Sequence, residues 1–188
     1  IDRVTLEELV DKTFSGEYGG EMKSVLVENV SETQCTPGCE GYRKELGGRI
    51  VKSFSPKDAN IEEVKFSGGI VTYSAKGDKD RTPIPVTDVN IKSELLGLRA
   101  KLEGYLKQVT GLANENIVRI NYLNGVKVEF SNREVIHLRA SGNSAQFRSI
   151  GVGMAATRKG EIERARAIGA DMNRPNTGVL IKIIQDYI

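Results

Sequence analysis

The stretch spanning residues 126–148 constrains the fold more than any other. Val126, Val128 and Phe130 alternate with Lys127 and Glu129, the period-two pattern of a half-buried strand. Ser131-Asn132-Arg133 turns the chain back, and Val135, Ile136 and Leu138 restore β-propensity. In this second strand Ile136 and Leu138 share one face, while Val135, His137 and Arg139 share the other. The strand then enters Ser141-Gly142-Asn143-Ser144, a turn rich in hydroxyl, amide and glycine groups, with Arg139 before it and Arg148 after it. Backbone N–H groups, small hydroxyls and two guanidinium forks are what an oxyanion pocket needs. The plainer reading is a hairpin with two solvated arginines, because Ser/Gly/Asn turns are common.

Helical periodicity is clearest over 92–109. There Leu95, Leu98, Leu102, Tyr105, Leu106 and Val109 recur at three- and four-residue steps, and Gly111 is a stop. This stripe reads as core rather than as a cofactor box. A second helix is expected over 5–14, capped by Thr5 and Glu8, with Leu6, Leu9 and Val10 as its stripe. A third is expected over 160–172, with Ile162, Ala165, Ile168 and Met172 inward and Arg174-Pro175 breaking it. The closing VLIKIIQDYI reads as a strand or a short helix. Residues 23–30 read as a strand, 31–48 as turn-rich, and 49–54, 61–66 and 69–74 as short strands. Residues 75–88 form a charged, proline-containing connection. The sum is an α+β fold: a small antiparallel sheet with helices packed on it and additional short strands.

Composition narrows the function. The 188 residues suffice for one domain, or one plus a fragment. No apolar run approaches the ~18 residues that span a bilayer. The formal charge of +2 argues against a dedicated nucleic-acid partner, and no membrane partner is expected. Arg133, Arg139, Arg148, Arg158, Lys159, Arg164 and Arg166 nevertheless outnumber Glu134, Glu161 and Glu163 near the loop. That balance suits a small anionic ligand. The chain opens on Ile1 rather than Met, so a processed or excised piece of a longer protein is expected. Cys35 and Cys39 lack the further ligands that zinc needs and read as free thiols of a reduced, cytosolic protein.

No catalytic residue emerges. Ser141 has no sequence-adjacent base, and Arg139 would depress the basicity of His137. A half-buried strand residue making one hydrogen bond is the better account of His137. No nucleophile-elbow sequence is present.

Arg139-Ala140-Ser141-Gly142-Asn143, with Arg148 after it, resembles the phosphate-binding loop of the C-terminal domain of the α-D-phosphohexomutases, the phosphomannomutase/phosphoglucomutase family. That loop reads Arg-Pro-Ser-Gly-Asn or Thr, with a later arginine. Asn124-Gly125-Val126 likewise resembles the family's Asp-Gly-Val entry to the preceding strand. The similarity covers roughly residues 115–150 and departs from the pattern at Ala140, Ala145 and Gln146, where Pro, Pro and Glu are usual. Losing prolines leaves the loop less preorganised. TLEELV followed by Gly20-Glu21-Met22-Lys23 loosely resembles the hinge into that domain; Gly-Glu-Met followed by a serine is also similar to the family's sugar-recognition loop, and the preceding TLEELV favours the hinge.

The resemblance implies an organisation: 1–30 as the end of a preceding domain and hinge, 31–90 as an inserted or extra β-rich segment, and 91–188 as the phosphate-binding domain. It implies the C-terminal part of a phosphomannomutase- or phosphoglucomutase-like isomerase of cytoplasmic carbohydrate metabolism. Arg139, Ser141, Gly142, Asn143, Ser144 and Arg148 would hold the non-transferred phosphate of a hexose phosphate. Upstream domains of the same enzyme would supply the phosphoserine. Mg²⁺ is expected for the full enzyme, with no cofactor or metal site in this chain. Lys76-Gly77-Asp78-Lys79-Asp80-Arg81 is similar to the family's Asp-Gly-Asp-x-Asp-Arg metal loop, but its first carboxylate is a lysine, which weakens a hard-cation site. The alternatives are a stand-alone phosphosugar-binding or regulatory module, or a structural domain with a vestigial loop.

Overall fold

The computed structural model describes residues 28–29, 40–140, 147–174 and 177–187. The expected helix at 5–14, the two cysteines and the loop residues Ser141, Gly142, Asn143 and Ser144 lie outside them. The chain order is β1 (Glu28–Asn29), α1 (Glu40–Ser53), β2 (Ile61–Ser67), β3 (Ile70–Ala75), β4 (Ile84–Pro85), α2 (Val89–Leu106), β5 (Ile117–Asn121), β6 (Val126–Phe130), β7 (Val135–Ala140), β8 (Phe147–Val152), α3 (Arg158–Asn173) and α4 (Val179–Gln185). The strands form one antiparallel sheet in the order β1-β8-β7-β6-β5-β2-β3-β4. The α+β expectation holds at this level.

Alternation on the strands divides the sheet into two unlike faces. Ile61, Val64, Phe66, Ile120, Val126, Val128, Phe130, Ile136 and Leu138 point inward and are buried. Leu46 and Ile50 of α1, Leu95, Leu102 and Leu106 of α2, Ile168 and Met172 of α3 and Leu180 and Ile183 of α4 join them in one core. The helices therefore cover one face, where each large aliphatic side chain contributes about 1.5–3 kcal/mol by burial.

Local chemistry fixes the helix ends. Asp88 caps α2 by accepting from Asn90 N–H at 2.8 Å and Ile91 N–H at 3.0 Å, so the helix starts before the expected residue 92. It ends at Leu106 because Gln108 and Val109 donate to Tyr105 and Leu106, three residues back, which tightens the chain out of the α-helical ladder. Thr157 caps α3 by accepting from Gly160 N–H at 3.1 Å.

One expectation needs correction. Residues 40–53, read as turns and a short strand, are helical. Leu46, Ile50 and Phe54 recur every four residues on the core, and the Gly47-Gly48 pair is not a turn. A Cβ at Gly47 would sit 3.4 Å from Ala140 Cβ, so its glycine lets α1 lie close against β7. Residues 61–85 supply additional strands: β2 pairs with β5, placing Glu63 opposite Asn121, and so extends the sheet. The terminal apolar run is a helix, with Val179, Leu180 and Ile183 buried. β5 escapes notice in the sequence because a bulge between Ile117 and Arg119 breaks its alternation.

Candidate functional site on the open sheet face

The face that carries no helix among the described residues has its side chains in register. One row across the sheet runs Thr72, Lys65, Arg119, Glu129, Val135, Val152. The next runs Ser74, Glu63, Asn121, Lys127, His137, Ile150. At the far end Arg139 of β7 lies directly opposite Arg148 of β8. Directly opposed residues of an antiparallel pair project to the same face, with Cβ atoms about 5 Å apart, and like charges there repel. Both sequence-predicted arginines are thus brought together on the open face, at the two ends of residues 141–146. Arg139 Nε is buried and has no hydrogen-bond partner among the described residues.

His137 sits one row inward, half-buried. Its Nε2 lies 2.5 Å from the Asn124 carbonyl oxygen. A carbonyl only accepts, so Nε2 carries the proton and Nδ1 is left as an acceptor. Burial holds the imidazole below the usual histidine range, and the Arg139 and Lys127 charges add to that. His137 is the half-buried strand residue with one hydrogen bond that the sequence suggested. The same contact explains the Asn124-Gly125 pair. Gly125 has φ +101°, and a Cβ there would lie 2.4 Å from the Leu138 carbonyl oxygen.

A groove of about 380 Å³ runs along this face from the Arg81 turn to the Arg133 turn. Arg81, Arg119, Lys127 and Arg133 line it against Glu63 and Glu129. Glu63 is only 2% exposed and is approached by Lys65 at 3.3 Å, Arg119 at 3.7 Å and Arg81 at 3.9 Å. Arg119 also pairs with Glu129. The two carboxylates are therefore engaged from within the sheet, and the groove keeps an excess of positive charge. Val135, Ile150 and Val152 give its floor an apolar patch. Sequence reasoning missed Glu63, Arg81, Arg119 and Glu129. The alternation around Glu129 on β6 is visible, but the register that brings Glu63, Arg119 and Arg81 to it is not.

The Asp78 turn does not suit Mg²⁺. The Asp78 carboxylate accepts from Asp80 N–H at 3.0 Å and Thr82 N–H at 2.8 Å. These backbone bonds, that from Thr82 foremost, hold its carboxyl below the usual range. A carboxylate already closing its own turn, beside two lysines, is a poor hard-cation ligand. Among the described residues no three of His, Cys, Asp and Glu gather as metal ligands do. Among them, too, no helix is long and apolar enough to cross a membrane. No protein-family model matches the chain, and no curated protein or solved structure matches it either.

Proposed function

We propose that this chain is the C-terminal part of a phosphomannomutase- or phosphoglucomutase-like enzyme of the cytoplasm, and that it binds the non-transferred phosphate of a hexose phosphate. The observation that carries the reading is the pairing of Arg139 with Arg148 on one face, at the two ends of Ser141-Gly142-Asn143-Ser144. Two guanidinium groups set side by side favour an anion between them. The loop hydroxyls, the Asn143 amide and the backbone N–H groups around Gly142 would complete the hydrogen bonds to phosphate. Chemistry would come from elsewhere: an upstream phosphoserine and Mg²⁺ in the full enzyme. A phosphosugar-binding module without chemistry of its own is the second reading. The Asp78 turn favours it, since its carboxylate serves the backbone.

Titration with mannose 1-phosphate or glucose 6-phosphate tests the clamp. Arg139→Ala should weaken binding at least about tenfold, the equivalent of one charge-assisted hydrogen bond. Unchanged affinity would refute the role of Arg139.

A further inference from the structure

Among the described residues a cavity of about 420 Å³ lies where the end of α1, the turn at 55–59, the start of β2 and Tyr122 meet. Leu123 stands between it and the open-face groove and lines both. Tyr122 follows Asn121, and its N–H donates to the Glu62 carbonyl at 2.8 Å, so the β2–β5 ladder carries on for one more residue. Its side chain therefore points opposite to Asn121, toward the helices, and its ring packs against the core. The Tyr122 hydroxyl is buried and has no hydrogen-bond partner among the described residues. Buried hydroxyls ordinarily find one. Burial, and after it the Glu94 charge, push this phenol above its usual range, so it remains a neutral donor. Gly48 lines the same cavity from α1. A helix-interior glycine costs stability relative to alanine, yet a Cβ at Gly48 would meet nothing within 4 Å. Packing within the chain accounts for Gly47 but not for Gly48.

The cavity's donors and acceptors are unequally used. Its Asp58 carboxylate accepts from Asn60 N–H at 2.9 Å. Its Glu62 carboxylate accepts from Gly77 N–H at 3.4 Å and pairs with Arg81 at 3.9 Å. Glu94, whose charge reaches Tyr122, accepts from Lys57 N–H at 2.7 Å. Lys52, Lys57 and Lys76 also line the cavity, and their ammonium groups make no ion pair among the described residues. The acceptors are thus engaged, while one hydroxyl and three ammonium groups are donors awaiting an acceptor. Val51, Pro56 and Ile61 supply an apolar wall. A ligand that completes such a site brings a charged acceptor on an apolar body. We propose that this cavity binds a small aliphatic carboxylate: the exposed lysine stems swing aside, the Tyr122 hydroxyl and the lysine ammonium groups donate to the carboxylate, and the chain lies on Val51, Pro56 and Ile61. Cavities of about 300–1,000 Å³ are the usual size for small ligands. None of these residues belongs to the Arg139–Arg148 clamp, so the two readings stand or fall separately.

Titration of the whole chain with hexanoate, hexanol and acetate, followed by amide NMR shifts, tests this. Hexanoate should shift the Val51 and Tyr122 amides. It should bind at least about tenfold more tightly than hexanol, which lacks the charge, or acetate, which lacks the apolar body. Tyr122→Phe should weaken hexanoate at least about fivefold while leaving the thermal midpoint unchanged or higher, because the buried hydroxyl has no partner to lose. Gly48→Ala should raise the midpoint through helix propensity and also weaken hexanoate, since its methyl group narrows the cavity. Lys52→Gln combined with Lys76→Gln should weaken hexanoate and leave hexanol unchanged. No shift at millimolar hexanoate, equal affinity for hexanol, or undiminished hexanoate affinity in the Tyr122→Phe or Gly48→Ala variant overturns the site.

Discussion

Arg164 of α3 grips Glu134 at the start of β7 with two parallel bonds, Nε to Oε1 at 2.6 Å and Nη2 to Oε2 at 2.7 Å. Glu134 is 2% exposed, so its charge depends on this partner. Removing one member of a buried pair strands the other. Arg164→Met should cost about 3 kcal/mol in urea unfolding, and the double variant Glu134→Gln/Arg164→Met should cost less than the single one. Additive losses would show that the pair is not coupled.

Gly125 offers a test of the hairpin that leads to Arg139. Alanine there meets both a φ of +101° and the Leu138 carbonyl oxygen. Gly125→Ala should destabilise the protein by about 2 kcal/mol or more and displace the Asn124 carbonyl from His137. A wild-type unfolding midpoint would show that the turn has another conformation open to it.

Asp171 links stability to acid. Burial raises its carboxyl, but bonds from the Thr110 hydroxyl and backbone N–H, with the Arg174 and Arg164 charges, outweigh that and leave it below the ordinary value of 3.8. A folded-state value depressed below the unfolded one means stability that is present above about pH 4 and lost as pH falls through the folded value. Asp171→Asn should flatten the acid limb of stability against pH between about pH 4 and 2. An unchanged acid limb would assign it to other carboxylates.

Tyr105 sets the opposite limb. Burial and a hydrogen bond to the Asp186 carboxylate push its phenol up to about 12. Its share of stability is full below the unfolded value of 10 and is lost as pH rises through the folded one. Tyr105→Phe should remove that alkaline loss, read as the slope of unfolding free energy between pH 10 and 12. A slope retained in full would exclude the phenol as its source.

How much could be read in advance depends on how local the signal was. The β6–β7 hairpin was legible because alternation, turn residues and partner strands all fall within Val126–Ala140. The faces of β7 were legible for the same reason, and with them the shared side of His137 and Arg139. α1 was not: Gly47-Gly48 looks like a turn until Ala140, far along the chain, occupies the space that the missing side chain leaves. The groove was least legible of all. Glu63 and Arg119 each look like an ordinary solvated charge, and only the β2–β5 register turns them into neighbours.

That register also says something about the order of folding. Glu63 and Asn121 pair across a sequence separation of 58 residues, whereas β5 to β8 follow one another as hairpins. Closing the long loop loses chain entropy before any contact rewards it. The meander should therefore nucleate alone, and the β2–β3 hairpin should dock onto a preformed edge. A core truncation in β6 such as Val128→Ala would then slow folding, while Val64→Ala in β2 would mainly speed unfolding. Equal slowing by both would mean that the two halves form together. On the docking order β7 and β8 exist early, and the groove is finished only when the last strands arrive.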